Sequence, residues 1–344
     1  MILYRRLPAI KLHGANIVPT AGQVAESGYA WRNFYRDWIN NTTGKNWVSW
    51  IKPQIDAAKS IGCNTIRLIG DCAGVMDGTF TQSAYLGVIR QAVQYCQSQN
   101  LYFYGSAGGP PHYRNVSNTA LTTGDYAAIA AICAAYCQII AWYPNTIGCD
   151  VIQEPASGID YGMTFGASTS YQFPISVSAM QAFCAQCNAA IRAVAPNLAL
   201  TYSFNRSNNS SAMWSDSLIT SLLAYCDYVD MHCYYLVTSA SDMDALRTLI
   251  GTTKQVLIGE HGAALNLGAS TRAAWYNGQK LIVNRADVAG SLQWAITDQD
   301  TVTTDMWGLF DASFSPRSTE ITAYQTFPKQ PAVIQNAFLR KRRH

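Results

Sequence analysis

Residues 148–155 read Gly-Cys-Asp-Val-Ile-Gln-Glu-Pro. A short, mostly apolar run carries the chain into a carboxylate, and Pro155 then stops any strand because it has no N–H to give a neighbour. The same arrangement returns about a hundred residues later, where Val256-Leu257-Ile258-Gly259 runs into Glu260. Working outward from these two stretches, similar short apolar segments stand at 10–16, 65–69, 102–106, 148–153, 199–204, 228–234, 256–259 and 290–295. Each is bounded by turn residues, the pattern of parallel strands buried on both faces. Between them lie stretches of helical periodicity at 47–61, 83–99, 126–142, 176–194, 216–224, 242–250, 269–284 and 319–326. Eight strands alternating with eight helices predict an α/β fold, a (β/α)8 TIM barrel, with a doubly wound open sheet as the alternative. No GxGxxG follows the first strand, which weakens the dinucleotide-binding form of that alternative. No linker divides the chain, so residues 1–330 are expected to form a single barrel domain, followed by a basic tail at 331–344.

Composition supports a large core. Hydrophobic residues make up 49% of the 344 and charged residues 13%, which excludes the disordered class. The net charge is +3, from 24 basic and 21 acidic residues. Without Arg340, Lys341, Arg342 and Arg343 the balance is 20 basic against 21 acidic, so the body is near neutral. It lacks the broad basic face that phosphate backbones demand, and no nucleic-acid partner is expected. The apolar stretch 126–143 is about long enough to span a bilayer, but it falls where a barrel helix is due, so no membrane partner is expected either. The first twelve residues hold no apolar run of signal-peptide length, although a mature secreted form would have lost one. The ten cysteines mostly occupy strand and helix positions, where a thiol behaves as a small hydrophobe. Cys184 and Cys187 have CxxC spacing without a second pair, so a core role outweighs a metal or redox one. A chain so rich in thiols fits a reducing compartment.

In a barrel, a charge that ends a strand stands over the C-terminal mouth, where chemistry is done. Strands four and seven lie on opposite sides of an eight-membered ring, so Glu154 and Glu260 face one another. Two facing carboxylates are what glycoside cleavage requires, and their separation decides between retention and inversion. Their neighbours strengthen the reading. Arg67 in Thr65-Ile66-Arg67-Leu68 is costly within an apolar strand unless it meets an anion. His232 and Tyr234 are two apart and share a strand face. Arg67 and the Tyr234 hydroxyl are placed to donate to Glu260 and keep it ionised. Glu154, as an acid, needs a raised pKa. Trp294 offers an apolar floor for a sugar ring. Asn205 and Arg206, in the polar run after strand five, are candidate contacts to sugar hydroxyls. His13 and Asn16 are softer candidates for the pocket floor, and Trp31, Trp214 and Trp307 for outer stacking positions. Each of these residues has an ordinary packing reading beside the functional one. The five histidines form no cluster with metal-ligand spacing, and no metal or cofactor is expected.

Taken in order, these strand ends resemble glycoside hydrolase clan A, and most of all family 5, the cellulase and mannanase type. Ile66-Arg67 is similar to that family's strand-two Arg, Gln153-Glu154-Pro155 to its Asn-Glu-Pro, and His232-Cys233-Tyr234 to its His-x-Tyr. Gly259-Glu260-His261-Gly262 resembles its Gly-Glu-x-Gly, and Trp294 its strand-eight Trp. The resemblance spans the whole barrel. It implies a retaining β-glycosidase with Glu154 as acid/base and Glu260 as nucleophile, acting as a monomer on a β-linked oligosaccharide or polysaccharide. Two positions depart from the family pattern. Gln153 stands where the family carries Asn and extends the amide by one methylene. The family's strand-three His is missing; His112 follows Gly105-Ser106-Ala107-Gly108-Gly109-Pro110-Pro111 and is the candidate to replace it. A carbohydrate-binding pseudoenzyme, or a structural, virion-associated barrel, remains an alternative on the same fold.

Overall fold

The computed structural model describes residues 6–26, 30–108, 123–155, 163–164, 170–171, 177–206, 220–234, 240–251, 253–299 and 307–332. Its strands are β1 (Leu12–Ile17), β2 (Thr65–Ile69), β3 (Tyr102–Ser106), β4 (Thr146–Asp150), β5 in two pieces (Leu200–Thr201 and Ser203–Arg206), β6 (Val229–Tyr234), β7 (Val256–Gly262) and β8 (Val288–Gln293). Each pairs in parallel with the next, and β8 returns to β1, with Leu12 opposite Gly290. The broken strand β5 completes the ring: its first piece pairs with β4 and its second with β6. The fold is therefore a single (β/α)8 barrel. Outside the strands lie α1 (Ala21–Ala25), α2 (Ala30–Ile39), α3 (Lys52–Ser60), α4 (Cys72–Met76), α5 (Gln82–Ser98), α6 (Thr123–Ile140), α7 (Val177–Val194), α8 (Ala240–Ile250), α9 (Ala269–Val283) and α10 (Ser318–Gln325).

Alternation along the strands separates two cores. Inward-facing Leu12, Tyr102, Tyr104, Ile147, Ala199, Tyr228, Leu257 and Leu292 fill the barrel's interior. Outward-facing Ile66, Phe103, Cys149, Leu200, Met231 and Ile258 pack against the helices. All ten cysteines are buried and none forms a disulfide, consistent with their use as small apolar side chains.

The elements depart from the expected pattern in ways that matter for the site. β4 ends at Asp150 and the chain bends through Val151–Gln153, although Val151 still donates to the Thr201 carbonyl at 2.8 Å and accepts from the Gly108 N–H at 2.9 Å. β7 runs past Glu260 to Gly262, so Glu260 stands within the ladder, opposite His232. The helix expected at 47–61 opens as a π-helical turn, Trp47–Ile51, before α3 begins. Of the helix expected at 216–224, residues 216–219 lie outside the described residues; 220–222 are helical and run into a 3-10 turn at Leu223–Tyr225. Trp31, expected in a loop, is buried in α2 with Phe34, Tyr35 and Trp38. Their i, i+3, i+4, i+7 spacing is a helical apolar stripe, partly hidden by the Arg, Asn and Asp residues between them.

A bulge in β7 decides which way the carboxylate points. Leu257 faces the barrel interior and Ile258 the helices, so strict alternation would turn Glu260 outward. The register shifts between Ile258 and Glu260, with Gly259 as the extra residue. That one insertion turns Glu260 inward and His261 outward. Gly259 also lets the Asp230 carboxylate come close: its N–H donates to Asp230 Oδ1 at 2.7 Å, and a Cβ there would lie 2.1 Å from the same oxygen. Gly259→Ala is expected to lower stability by about 1–3 kcal/mol through overpacking. Gly87→Ala, on the open face of α5 with nothing within 4 Å, is expected to raise it by roughly 0.5–1 kcal/mol. Urea unfolding of the two variants checks both signs.

Candidate active site

Above the apolar filling, the inward positions turn polar. Asn16, Asp150, His232 and Glu260 are buried in the C-terminal halves of their strands, Arg67 and Ser203 at mid-strand, and Asp230 one layer lower, as the second residue of β6. Arg67 is 0% exposed and organises the group. One terminal nitrogen donates to Glu260 Oε1 and, at 2.9 Å, to Asn16 Oδ1. The other donates to Asp150 Oδ2 at 2.9 Å. Burial works against the guanidinium's charge, but Glu260, Asp150 and Asp230 outweigh it and hold Arg67 protonated. Asn16 is fixed in turn by donating to the Gly259 and Gln293 carbonyls, both at 3.1 Å.

The two glutamates meet over this base. Glu154 is 7% and Glu260 2% exposed. His232 lies between them: Nδ1 is 2.6 Å from Glu154 Oε1 and 3.3 Å from Glu260 Oε2. A carboxylate oxygen of Glu154, one of Glu260 and a ring nitrogen of His232 lie within 4.8 Å of one another. Burial lowers the His232 pKa although Glu260 opposes the shift, so the ring is neutral near pH 7. A neutral ring and a carboxyl group share one proton across the 2.6 Å contact: Nδ1–H donates to an ionised Glu154, and a protonated Glu154 donates to Nδ1. Gln153 Nε2 donates to Glu260 Oε1 at 3.0 Å. Glu154 itself has φ +48°, in the left-handed region that side chains other than glycine's enter at a cost of about 1 kcal/mol. Its N–H donates to Ser203 Oγ at 2.9 Å, which helps hold that backbone in place.

Two buried carboxylates complete the arrangement and were not singled out from the sequence. Asp150 pairs with Arg67 and accepts from the Ser203 N–H at 3.0 Å, linking the strand that leads to Glu154 with the guanidinium that contacts Glu260. Asp230 accepts from the Tyr104 hydroxyl at 2.5 Å and from Gly259. Burial pushes the Asp230 pKa up to about 6, with His232 and Arg67 pulling the other way. The signal for Asp230 was present, because it is two residues before His232 and shares its face. Asp150 was marked only as an acid inside an otherwise apolar run.

The remaining candidates divide clearly. The structure brings Arg67, Gln153, His232, Glu154 and Glu260 into mutual contact. Trp294, partly buried at the end of β8, has its ring 6.4 Å from that of Trp31. Gln293 Nε2 donates at 2.9 Å to the carbonyls of both Trp294 and Trp307. Asn205 is opposite His232 in the ladder, and Tyr234 is opposite Gly262, but the side chains of both, and that of Arg206, lie outside the described structure. His112 and Trp214 also lie outside the described residues. Asn16 lines the floor, whereas His13 does not: it faces outward, its ring 4.2 Å from that of Tyr324, because odd positions of β1 point to the helices. Donor atoms of Glu154, His232 and Glu260, and of Asp150, Asp230 and His232, are spaced closely enough to bridge a cation. Arg67 already supplies positive charge to one carboxylate in each set.

Neither family models nor curated proteins match the chain. Solved structures do. A GH5_18 protein from Streptomyces cattleya, in complex with GlcNAc, superposes with a TM-score of 0.65 at 11% identity, covering 92% of this chain and 80% of its own. An endo-1,4-beta-mannanase from Rhizomucor miehei gives 0.60 at 15% identity, covering 92% and 94%. A GH5-4 broad specificity endoglucanase from Clostridium acetobutylicum gives 0.59 at 14% identity, covering 91% and 96%. At these identities the likeness is one of fold: the chain has the barrel used by glycoside hydrolases of the family 5 type.

His261, adjacent to the site, faces outward between Trp275 and Phe327, with ring centroids at 5.5 and 5.8 Å. Burial lowers its pKa from 6.5 to about 3, so the fold accepts the neutral ring and resists the protonated one. The unfolded chain therefore binds the extra proton first, and stability falls as pH drops from 6.5 towards 3. His261→Phe is expected to remove that loss, worth on the order of 2 kcal/mol at pH 5 relative to pH 8. Urea midpoints at the two pH values check it; an equal shift at both would show that the imidazole's titration plays no part.

Proposed function

We propose that this chain is a retaining β-glycoside hydrolase acting on a β-linked oligosaccharide or polysaccharide. The observation that carries the reading is the closeness of Glu154 and Glu260, whose oxygens come within 4.8 Å with His232 against both. Carboxyl groups about 5 Å apart leave no room for a water between acid and base, as inversion requires, and suit direct attack on the sugar.

In this reading Glu260 is the nucleophile. Arg67 and Gln153 donate to its Oε1, which stabilises the ionised form. Glu154 protonates the departing glycosidic oxygen as Glu260 bonds to the anomeric carbon. It then takes a proton from water, and the resulting hydroxide displaces Glu260. Two inversions at one carbon amount to retention. Neutral His232 contacts both carboxyl groups through Nδ1 and holds them in place without adding a charge to the pair. The expected roles of Tyr234, Asn205, His112 and Trp294 in holding the sugar belong to this proposal, as does a monomeric barrel.

A carbohydrate-binding barrel without turnover is the second reading, and Gln153 is the observation that favours it. Its longer amide is engaged with Glu260, in the place where the family's shorter Asn meets the sugar. Glu154→Ala separates the two. For a retaining enzyme, kcat/KM on glycosides with poor leaving groups is expected to fall by about 10²–10⁴-fold. Loss on an activated aryl β-glycoside, which needs no proton for departure, is expected to be far smaller. Equal losses on both substrates would remove Glu154 as the acid, and no turnover by the unmodified chain would favour the binding reading.

A further inference from the structure

Away from the strand ends, α5 and α6 enclose a groove of about 800 Å³. On α5 it is lined by Gln82, Leu86, Arg90 and Gln97, whose spacing puts them on one helical face. Gln138 and Trp142 line the other side, the latter two residues beyond the end of α6. Trp142 is 65% exposed and is the only exposed tryptophan among the described residues. From Gln82 to Gln97 the helix advances roughly 22 Å, at about 1.5 Å per residue.

The chemistry of the lining restricts the ligand. No carboxylate lines the groove and Arg90 does, so its charge disfavours a cation. Its one cation, Arg90, is too little for a nucleic-acid backbone. Both walls are helical, so there is no strand edge for an extended peptide to pair with. What remains is an open indole among apolar Leu86, Ala135, Ile139, Tyr143 and Pro144, beside three primary amides and one guanidinium. An indole covers an apolar face, while amides donate to and accept from hydroxyls in equal measure. A sugar ring presents both of these features, an apolar C–H face and a rim of hydroxyls, and the groove is long enough for several linked rings.

We propose that this groove is a second carbohydrate-binding site, remote from the glutamates, which takes a neutral polysaccharide chain with a sugar ring stacked on Trp142. It extends the carbohydrate reading to another face of the barrel but uses neither glutamate, so it stands or falls separately from the catalytic assignment. Its role would be to keep the barrel on a long chain while the C-terminal mouth works.

The test is native electrophoresis of the full chain through gels containing hydroxyethyl cellulose, galactomannan or xylan, alongside turnover of a short aryl β-glycoside. The unmodified chain is expected to be retarded in at least one gel. Trp142→Ala should weaken that retention at least fivefold, and Gln138→Ala by less. Aryl-glycoside turnover should stay within twofold in both variants, because the groove lies outside the mouth. Glu260→Gln should be retarded like the unmodified chain whether or not it has lost activity. Retardation in none of the gels, or equal retardation of Trp142→Ala and the unmodified chain, would overturn the proposal. So would a dimer in sedimentation that Trp142→Ala converts to monomers, since the groove would then belong to a second copy.

Discussion

The site depends on one fully buried guanidinium. Arg67 lies inside the barrel, and a charge in that position is costly unless its partners are fixed and well aligned. Here they are: Asp150 on one terminal nitrogen, Glu260 and Asn16 on the other, and the Tyr104 ring 5.6 Å away. A planar fork suits this task better than an ammonium, because it meets two carboxylates in fixed directions at once. Removing it would leave two acids buried without their counter-charge. Breaking such pairs ordinarily costs about 3–5 kcal/mol.

The rest of the mouth is assembled around that contact. Asp150 connects Arg67 to Ser203, and Ser203 in turn holds the left-handed backbone of Glu154. Asp230 connects Tyr104 to Gly259, the residue whose insertion turns Glu260 inward. Local irregularities therefore set the chemistry: the early end of β4, the break in β5 and the bulge in β7 each occur beside a functional side chain. Bulges and left-handed residues are used where a regular strand would aim the wrong atom.

Much of this could be read from the sequence. The alternation of short apolar runs with helical stripes gave the barrel, and the carboxylates at the strand ends marked its mouth. Arg67 stood out because an isolated cation in an apolar strand needs an anion. Other features were hidden for physical reasons. A bulge leaves no mark in the spacing of apolar residues, so Glu260 was expected beyond β7 and was found within it. His13 was expected at the pocket floor because it sits on a barrel strand, yet parity turns it towards α10. Asp150 carries no such mark, because a single acid in a strand does not reveal which face it occupies. Helix α2 was missed because polar residues alternate with its aromatic stripe.

The central claim is that Glu260 attacks the anomeric carbon while the charge of Arg67 keeps it ionised. The most direct measurement is intact-mass and peptide analysis of the chain after incubation with an activated fluorosugar β-glycoside, whose glycosyl ester breaks down slowly. The account predicts one added sugar, carried on the peptide that contains Glu260 and absent from Glu260→Gln. Turnover of the parent glycoside with no adduct, or an adduct on any other residue, would contradict it.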